Sequence, residues 1–293
     1  MYQSTIHPPQ VNPMPPLATS HRINHVEMRG IVKRFPGVLA NAGVNLDVYA
    51  GEVHSLLGEN GAGKSTLMRQ LYGMYQPNEG QILIDDVPHV FHSPADAIRA
   101  GIGVIPRRLA VFEQLSVAEN IAVGNWQNEN RLFINRSQTR RRADEILREL
   151  DLALDPSMKA GGLSGAQKRL LTIARALSTR PRVLVLDEPA STVSSPAEMS
   201  QLIRVLRWAA GQGIASLYLT TRVAEVLLVA DRATVLRDGV GIGDFERAGL
   251  DEAVLTRLMI SQRPGGARDF DEDERAGPGG LVGTLRSFFK GQR

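Results

Sequence analysis

The chain of 293 residues contains no cysteine. That excludes disulfides, thiolate metal sites and a cysteine nucleophile, and it fits a reducing compartment. No apolar run reaches the roughly 20 residues that a membrane-spanning helix needs, so a soluble or membrane-peripheral chain is expected. The opening stretch Met1–Ser20 carries Pro8, Pro9, Pro13, Pro15 and Pro16 and lacks a basic-then-apolar pattern, so export is not expected. Charge of one sign is missing too: a net charge of +3 is too small to argue for nucleic acid. No internal repeat is visible. What is present is 43% apolar content, enough for a sizeable core in one large domain or two small ones.

The rest is organised around Gly58-Glu59-Asn60-Gly61-Ala62-Gly63-Lys64-Ser65-Thr66, which satisfies G-x-x-x-x-G-K-[ST]. Val53–Leu57 before it reads as a buried strand, and Leu67, Met68, Leu71 and Tyr72 after it recur at helical spacing. In that context the glycines let the backbone wrap a polyphosphate, with N–H groups and a helix N-terminus facing the anion. Lys64 would reach the β- and γ-phosphates, and Ser65 would hold Mg²⁺.

In chain order, Met1–Asn24 is expected to be a disordered proline-rich tail. Val26–Ile31, Val44–Val48 and Gln81–Asp85 alternate as half-buried strands of a mostly antiparallel sheet, with an aromatic-exposing turn at Lys33–Val38. Ser93–Arg99 reads as a short helix and Ile102–Ile105 as a buried strand. Leu115–Leu163 reads as helical, with Ser116 and Glu119 at capping-box spacing and Ile146, Leu147 and Leu150 on one face opposite arginines. Ser164 and Gln167 open another helix in the same way, and its N-terminus is a second potential anion site. Val183–Leu186 is a wholly apolar strand ending in Asp187-Glu188-Pro189, where ligands of open α/β sheets gather. A helix over Pro196–Ala210 and strands at Ile214–Leu219 and Ala233–Leu236 complete the pattern. Residues 263–293 are expected to be a disordered tail with a weak apolar stripe of Leu285, Phe288 and Phe289.

Taken in that order, the Walker-type loop, the helical insertion, Leu163-Ser164-Gly165-Ala166-Gln167 and the strand ending in Asp187-Glu188-Pro189 resemble an ATP-binding-cassette (ABC) ATPase subunit, from about Val26 to Gln262. Lys33–Val38 and Ser116–Ile121 look more narrowly like cassettes of sugar and nucleoside importers, which are commonly fused in tandem, whereas one is read here. The resemblance implies an α/β fold: a P-loop NTPase core of ABC type with an antiparallel β subdomain and a helical insertion at about 112–163, within an ATP-binding domain spanning 25–262. It implies ATP and Mg²⁺ as cofactors, with Phe35 stacking on adenine, Asp187 on Mg²⁺ and Glu188 orienting or deprotonating the attacking water. Ser164, Gly165, Ala166 and Gln167 would cover the γ-phosphate held by a second cassette. Membrane-spanning permease subunits would be partners, with a solute-binding protein met indirectly, no nucleic acid, and a peripheral location on the cytoplasmic face of the inner membrane.

Several positions depart from the family pattern. Arg107 stands where a glutamine is expected, with Gln114 the nearest substitute; Ser194 replaces an aspartate, Thr221 a histidine and Ala166 a glycine. Slow hydrolysis at this site is therefore expected, and the alternative is a catalytically weak regulatory or structural cassette paired with an active one. Arg107 is read as a solvated surface arginine, or else as added positive charge for the phosphates.

Overall fold

The computed structural model describes residues 24–123 and 136–260. The expected proline-rich tail, apart from Asn24, and the tail at 263–293 with its apolar stripe lie outside the described residues. Among the described residues, β1 (Asn24–Phe35), β2 (Val38–Tyr49), β4 (Glu79–Ile84) and β5 (Val87–His89) form an antiparallel sheet in the order β2-β1-β4-β5. β1 and β2 run beyond their alternating stretches because register shifts interrupt the period-two pattern without ending the pairing. The expected turn thereby shrinks to Pro36-Gly37.

A second sheet carries β3 (Val53–Leu57), β6 (Ile102–Ile105), β7 (Val183–Asp187), β8 (Ala215–Thr220), β9 (Arg232–Arg237) and β10 (Val240–Glu246), in the order β10-β9-β3-β8-β7-β6. All its pairings are parallel except β10 with β9. The apolar run of β7 is explained by burial on both faces: Val183 and Val185 join a core with Leu56, Leu67 and Met68, while Leu184 and Leu186 join another with Leu170, Leu171 and Ile173. Eight α-helices are described: α1 (Lys64–Leu71), α2 (Pro94–Arg99), α3 (Val117–Val123), α4 (Arg136–Glu149), α5 (Gly165–Leu177), α6 (Pro196–Gly211), α7 (Val223–Val229) and α8 (Glu252–Met259).

The reading of Leu115–Leu163 as helical needs correction after α4. Residues 151–159 form turns and irregular chain, and a single 3₁₀ turn follows at Ala160–Gly162. Asp151 in a left-handed conformation, Pro156 and the Gly161-Gly162 pair each break helical continuation. The segment returns instead to the start of α3, where Ser116 bridges Lys159 and the Val117 N–H donates to the Met158 carbonyl at 2.9 Å. The expected caps do form, with Ser116 Oγ accepting from the Glu119 N–H at 3.1 Å and Glu119 Oε2 from the Ser116 N–H at 2.8 Å.

The loop between β6 and α3 is pinned by Asn120, which is fully buried. Its Oδ1 accepts from the Phe112 N–H at 2.9 Å, and its Nδ2 donates to the carbonyls of Phe112 at 2.9 Å and Ser116 at 3.0 Å. Asn120→Leu removes these side-chain hydrogen bonds from the interior, at a cost of about 2 kcal/mol. The expected outcome is a fall in Tm of about 4–8 °C, read by calorimetry.

Candidate functional site

Strand register assembles the site. Leu57 of β3 pairs with Thr220 of β8 and Val235 of β9, Asp187 of β7 with Leu219 of β8, and Ile105 of β6 with Leu186 of β7. Parallel neighbours lie about 4.8 Å apart, so residues just past these strand ends converge on one edge. They are the loop opening at Gly58, the pair Asp187-Glu188, Pro106-Arg107 and Thr221. This is the carboxyl edge, where open parallel sheets hold ligands.

The Gly-rich loop sits tightly against its neighbours. A Cβ on Gly58 would lie 2.2 Å from the Leu236 carbonyl oxygen, and one on Gly63, whose φ is +96°, would lie 2.4 Å from that of Ala40. No side chain caps α1, so its first N–H groups face the loop's interior. Buried Lys64 folds back along the loop and donates through Nζ to the carbonyls of Gly58 at 2.8 Å and Glu59 at 2.9 Å. Asn41 supports the loop from β2, donating to the Gly63 carbonyl at 3.2 Å while its Oδ1 accepts from Gln70 of α1 at 2.9 Å. Ala62 is buried, Ser65 and Thr66 are half-buried, and Glu59, Asn60 and Gly61 are exposed. Glu59 and Asn60 border a shallow, open depression with Thr221 and Met259.

The two acids have different environments. Burial, then the charge of Glu188, pushes the Asp187 carboxyl above the ordinary aspartate range, against the pull of Lys64, Arg107 and Arg69. Glu188 sits in a left-handed conformation, φ 45°, which costs a non-glycine residue free energy. Its Oε2 lies 3.2 Å from Arg107 Nε. Arg107 is a surface arginine as expected, its side chain 57% exposed, and the structure adds that its guanidinium is paired with the candidate catalytic carboxylate. Arg107 directly follows the strand end, whereas Gln114 lies further along the loop and is exposed.

Sequence reasoning missed Arg169. It lies on the buried face of α5, 1% exposed, and donates to the carbonyls of Pro106 at 2.7 Å and Arg107 at 2.8 Å and to Ser191 Oγ at 3.3 Å. The available signal was an arginine inside the apolar stripe of an amphipathic helix, where a charge stays only if it has partners. Glu225 was missed as well. It accepts from Thr220 Oγ1 at 2.7 Å and Tyr218 Oη at 3.0 Å, fixing the end of β8 just before Thr221.

Of the remaining expected residues, Ser164 and Gln167 form the capping box of α5, with Ser164 and Gly165 exposed and Ala166 buried. They stand at the helix start, one turn from Arg169, which faces the carboxyl edge. Phe35 ends β1, half-buried, its ring edge-on to Tyr75 at 5.3 Å. Ser194 caps the approach to α6, its N–H and hydroxyl donating to Glu198 Oε2 at 2.7 and 2.9 Å. Among the described residues no group of three or more His, Cys, Asp or Glu could hold a metal by itself, and no helix is long and apolar enough to cross a membrane.

Residues 42–191 match the family model described as "ABC transporter". A ribose import ATP-binding protein, RbsA 1, of Burkholderia thailandensis is 43% identical over 237 residues, which is 80% of this chain and 46% of that protein. A putative ribose/galactose/methyl galactoside import ATP-binding protein of Agrobacterium fabrum is 42% identical over 237 residues, covering 81% of this chain and 47% of its own length. The chain thus spans about half the length of these curated relatives. An ATP-binding cassette of an ABC transporter solved in its ADP conformation superposes with a TM-score of 0.69 at 27% identity, over 80% of this chain and 95% of that one. A dimeric bacterial ABC transporter cassette shares the fold, with a TM-score of 0.66 at 23% identity, over 76% of this chain and 98% of the other.

The raised Asp187 carboxyl gives a signed stability prediction. Its folded pKa lies above the unfolded value, so ionisation costs the folded state; that cost is absent below the unfolded pKa of about 3.9 and complete above the folded one. Asp187→Asn therefore raises Tm at neutral pH, with a gain that fades on acidification toward pH ~4. A calorimetric pH series reads this, and a gain independent of pH would contradict it.

Proposed function

The chain belongs to the ABC transporter family, and on that premise we propose that it is the ATP-binding, ATP-hydrolysing subunit of an importer for a simple sugar or nucleoside. The observation that carries this reading is the shared carboxyl edge, which places the Gly-rich loop, Asp187-Glu188 and the Arg107 loop side by side. The import functions in the names of its relatives support a sugar cargo.

The chain's residues divide the work. The Gly58–Thr66 amides and Lys64 bind the phosphates, exchanging the loop carbonyls on Nζ for phosphate oxygens. Phe35 offers an aromatic face to adenine. Ser65 and Asp187 are hard oxygen donors, and the desolvated, acid-flanked carboxyl of Asp187 favours a cation beside it, so the donor set fits Mg²⁺. Held by Ser65 and Asp187, Mg²⁺ would supply charge neutralisation to the phosphates. Glu188, just past the end of β7 and beside Arg107, orients the attacking water and takes its proton. The cap at Ser164–Gln167, with Ser164 and Gly165 exposed, closes over the γ-phosphate of a second cassette. Residues 25–262 act as one cassette, with the segment at about 112–163 facing permease subunits on the cytoplasmic side of the membrane.

MgATP binding and turnover test this. Glu188→Gln is expected to bind MgATP at least as tightly as the wild type and to cut turnover by about 10²–10³-fold. Lys64→Ala is expected to weaken MgATP binding by at least about tenfold. Tight binding without Glu188-dependent turnover would instead make this the passive cassette of an unequal pair. Importer assembly predicts retention in washed membranes with co-purifying membrane subunits.

A further inference from the structure

The geometry points to Arg107 as a residue that distinguishes a triphosphate from a diphosphate at this site, its guanidinium passing from the Glu188 carboxylate to the third phosphate of the nucleotide. This inference rests on the proposed ATP-binding function and adds a reader of the third phosphate to it.

Three observations carry it. The first is the ion pair itself: Arg107 Nε is 3.2 Å from Glu188 Oε2, so the cation already stands beside the carboxylate assigned to the attacking water. The second is how the side chain is mounted. Arg169, fully buried, fixes the carbonyls of Pro106 and Arg107 at 2.7 and 2.8 Å, while the Arg107 side chain beyond that anchor is 57% exposed. The root is held and the guanidinium is able to change partner. The third is the composition of the edge. Thr221 and Ser194 are uncharged, Lys64 lies back on the carbonyls of its own loop, Arg169 is committed to backbone carbonyls, and Arg222 pairs with Glu225.

Physical chemistry sets the direction of exchange. An ion pair more than half open to solvent is weak. A terminal phosphate brings more charge than a carboxylate and matches the planar guanidinium fork at two points. A bound triphosphate therefore draws Arg107 off Glu188, and the carboxylate becomes available to the attacking water in the state that has a phosphate to attack. A diphosphate leaves the Arg107–Glu188 pair intact.

The test measures Kd for MgATP and MgADP with wild type, Arg107→Gln, Arg107→Lys, Glu188→Gln and the Arg107→Gln/Glu188→Gln double variant. Arg107→Gln is expected to weaken MgATP binding about tenfold and leave MgADP unchanged, ADP affinity serving as the check on folding. Arg107→Lys, retaining charge without the fork, falls between the two. Glu188→Gln removes the competitor and tightens MgATP roughly threefold, a gain that disappears in the double variant. The inference is overturned if Arg107→Gln shifts both nucleotides equally, or if the Glu188→Gln gain persists without Arg107. Failure of the wild type to bind either nucleotide would overturn the ATP-binding function itself.

Discussion

Parallel pairing of β6, β7, β8 and β3 is the constraint on which the site depends. Each pairing is fixed to the residue: Ile105 beside Leu186, Asp187 beside Leu219, Thr220 beside Leu57. A slip of one residue in β7 would exchange its faces, turning Leu184 and Leu186 out of one core and Val183 and Val185 out of the other. Because both faces are buried, such a slip relieves nothing, and hydrophobic packing alone is enough to hold polar groups from distant parts of the sequence in line. The Gly-rich loop inherits this precision, since Gly58 passes so close to the Leu236 carbonyl that any side chain would displace β3 from β9.

On that rigid edge the chain gathers charges that stability alone would not choose. Asp187 is desolvated next to a second carboxylate, and Glu188 adopts a backbone conformation that glycine would tolerate far better. Lys64, Arg107 and Arg69 offset the acids in part. Unfavourable local terms concentrated where β-sheet geometry converges are the usual mark of a site kept for chemistry.

Much of this was legible in the sequence because its signals are local. The Gly-rich loop, the Ser116–Glu119 and Ser164–Gln167 boxes and the apolar run ending at Asp187 each declare themselves within a few residues. The irregular return at residues 151–163 and the strand β10, whose glycines Gly241 and Gly243 weaken any strand pattern, depend on packing partners remote in sequence. Arg107 was visible as a departure, but its pairing with Glu188 follows from β6 lying beside β7, a fact of topology that no local pattern encodes. Arg169 was hidden for the opposite reason: among Leu170, Leu171 and Ala174 it reads as an interruption of a stripe until its acceptors are seen.

Arg169 also turns α5 into a lever. The helix exposes Ser164 and Gly165 at its tip, and one turn later a single guanidinium fastens it to the backbone on which Arg107 is mounted and to the turn after Glu188. An α-helix transmits displacement along its axis with little loss, and a buried guanidinium cannot release its acceptors without leaving them dry and unpaired. A body that meets the tip therefore meets a helix tied, within one turn, to the loop that carries Arg107. The helix tip and the two acids are joined through buried polar contacts that bypass the Gly-rich loop.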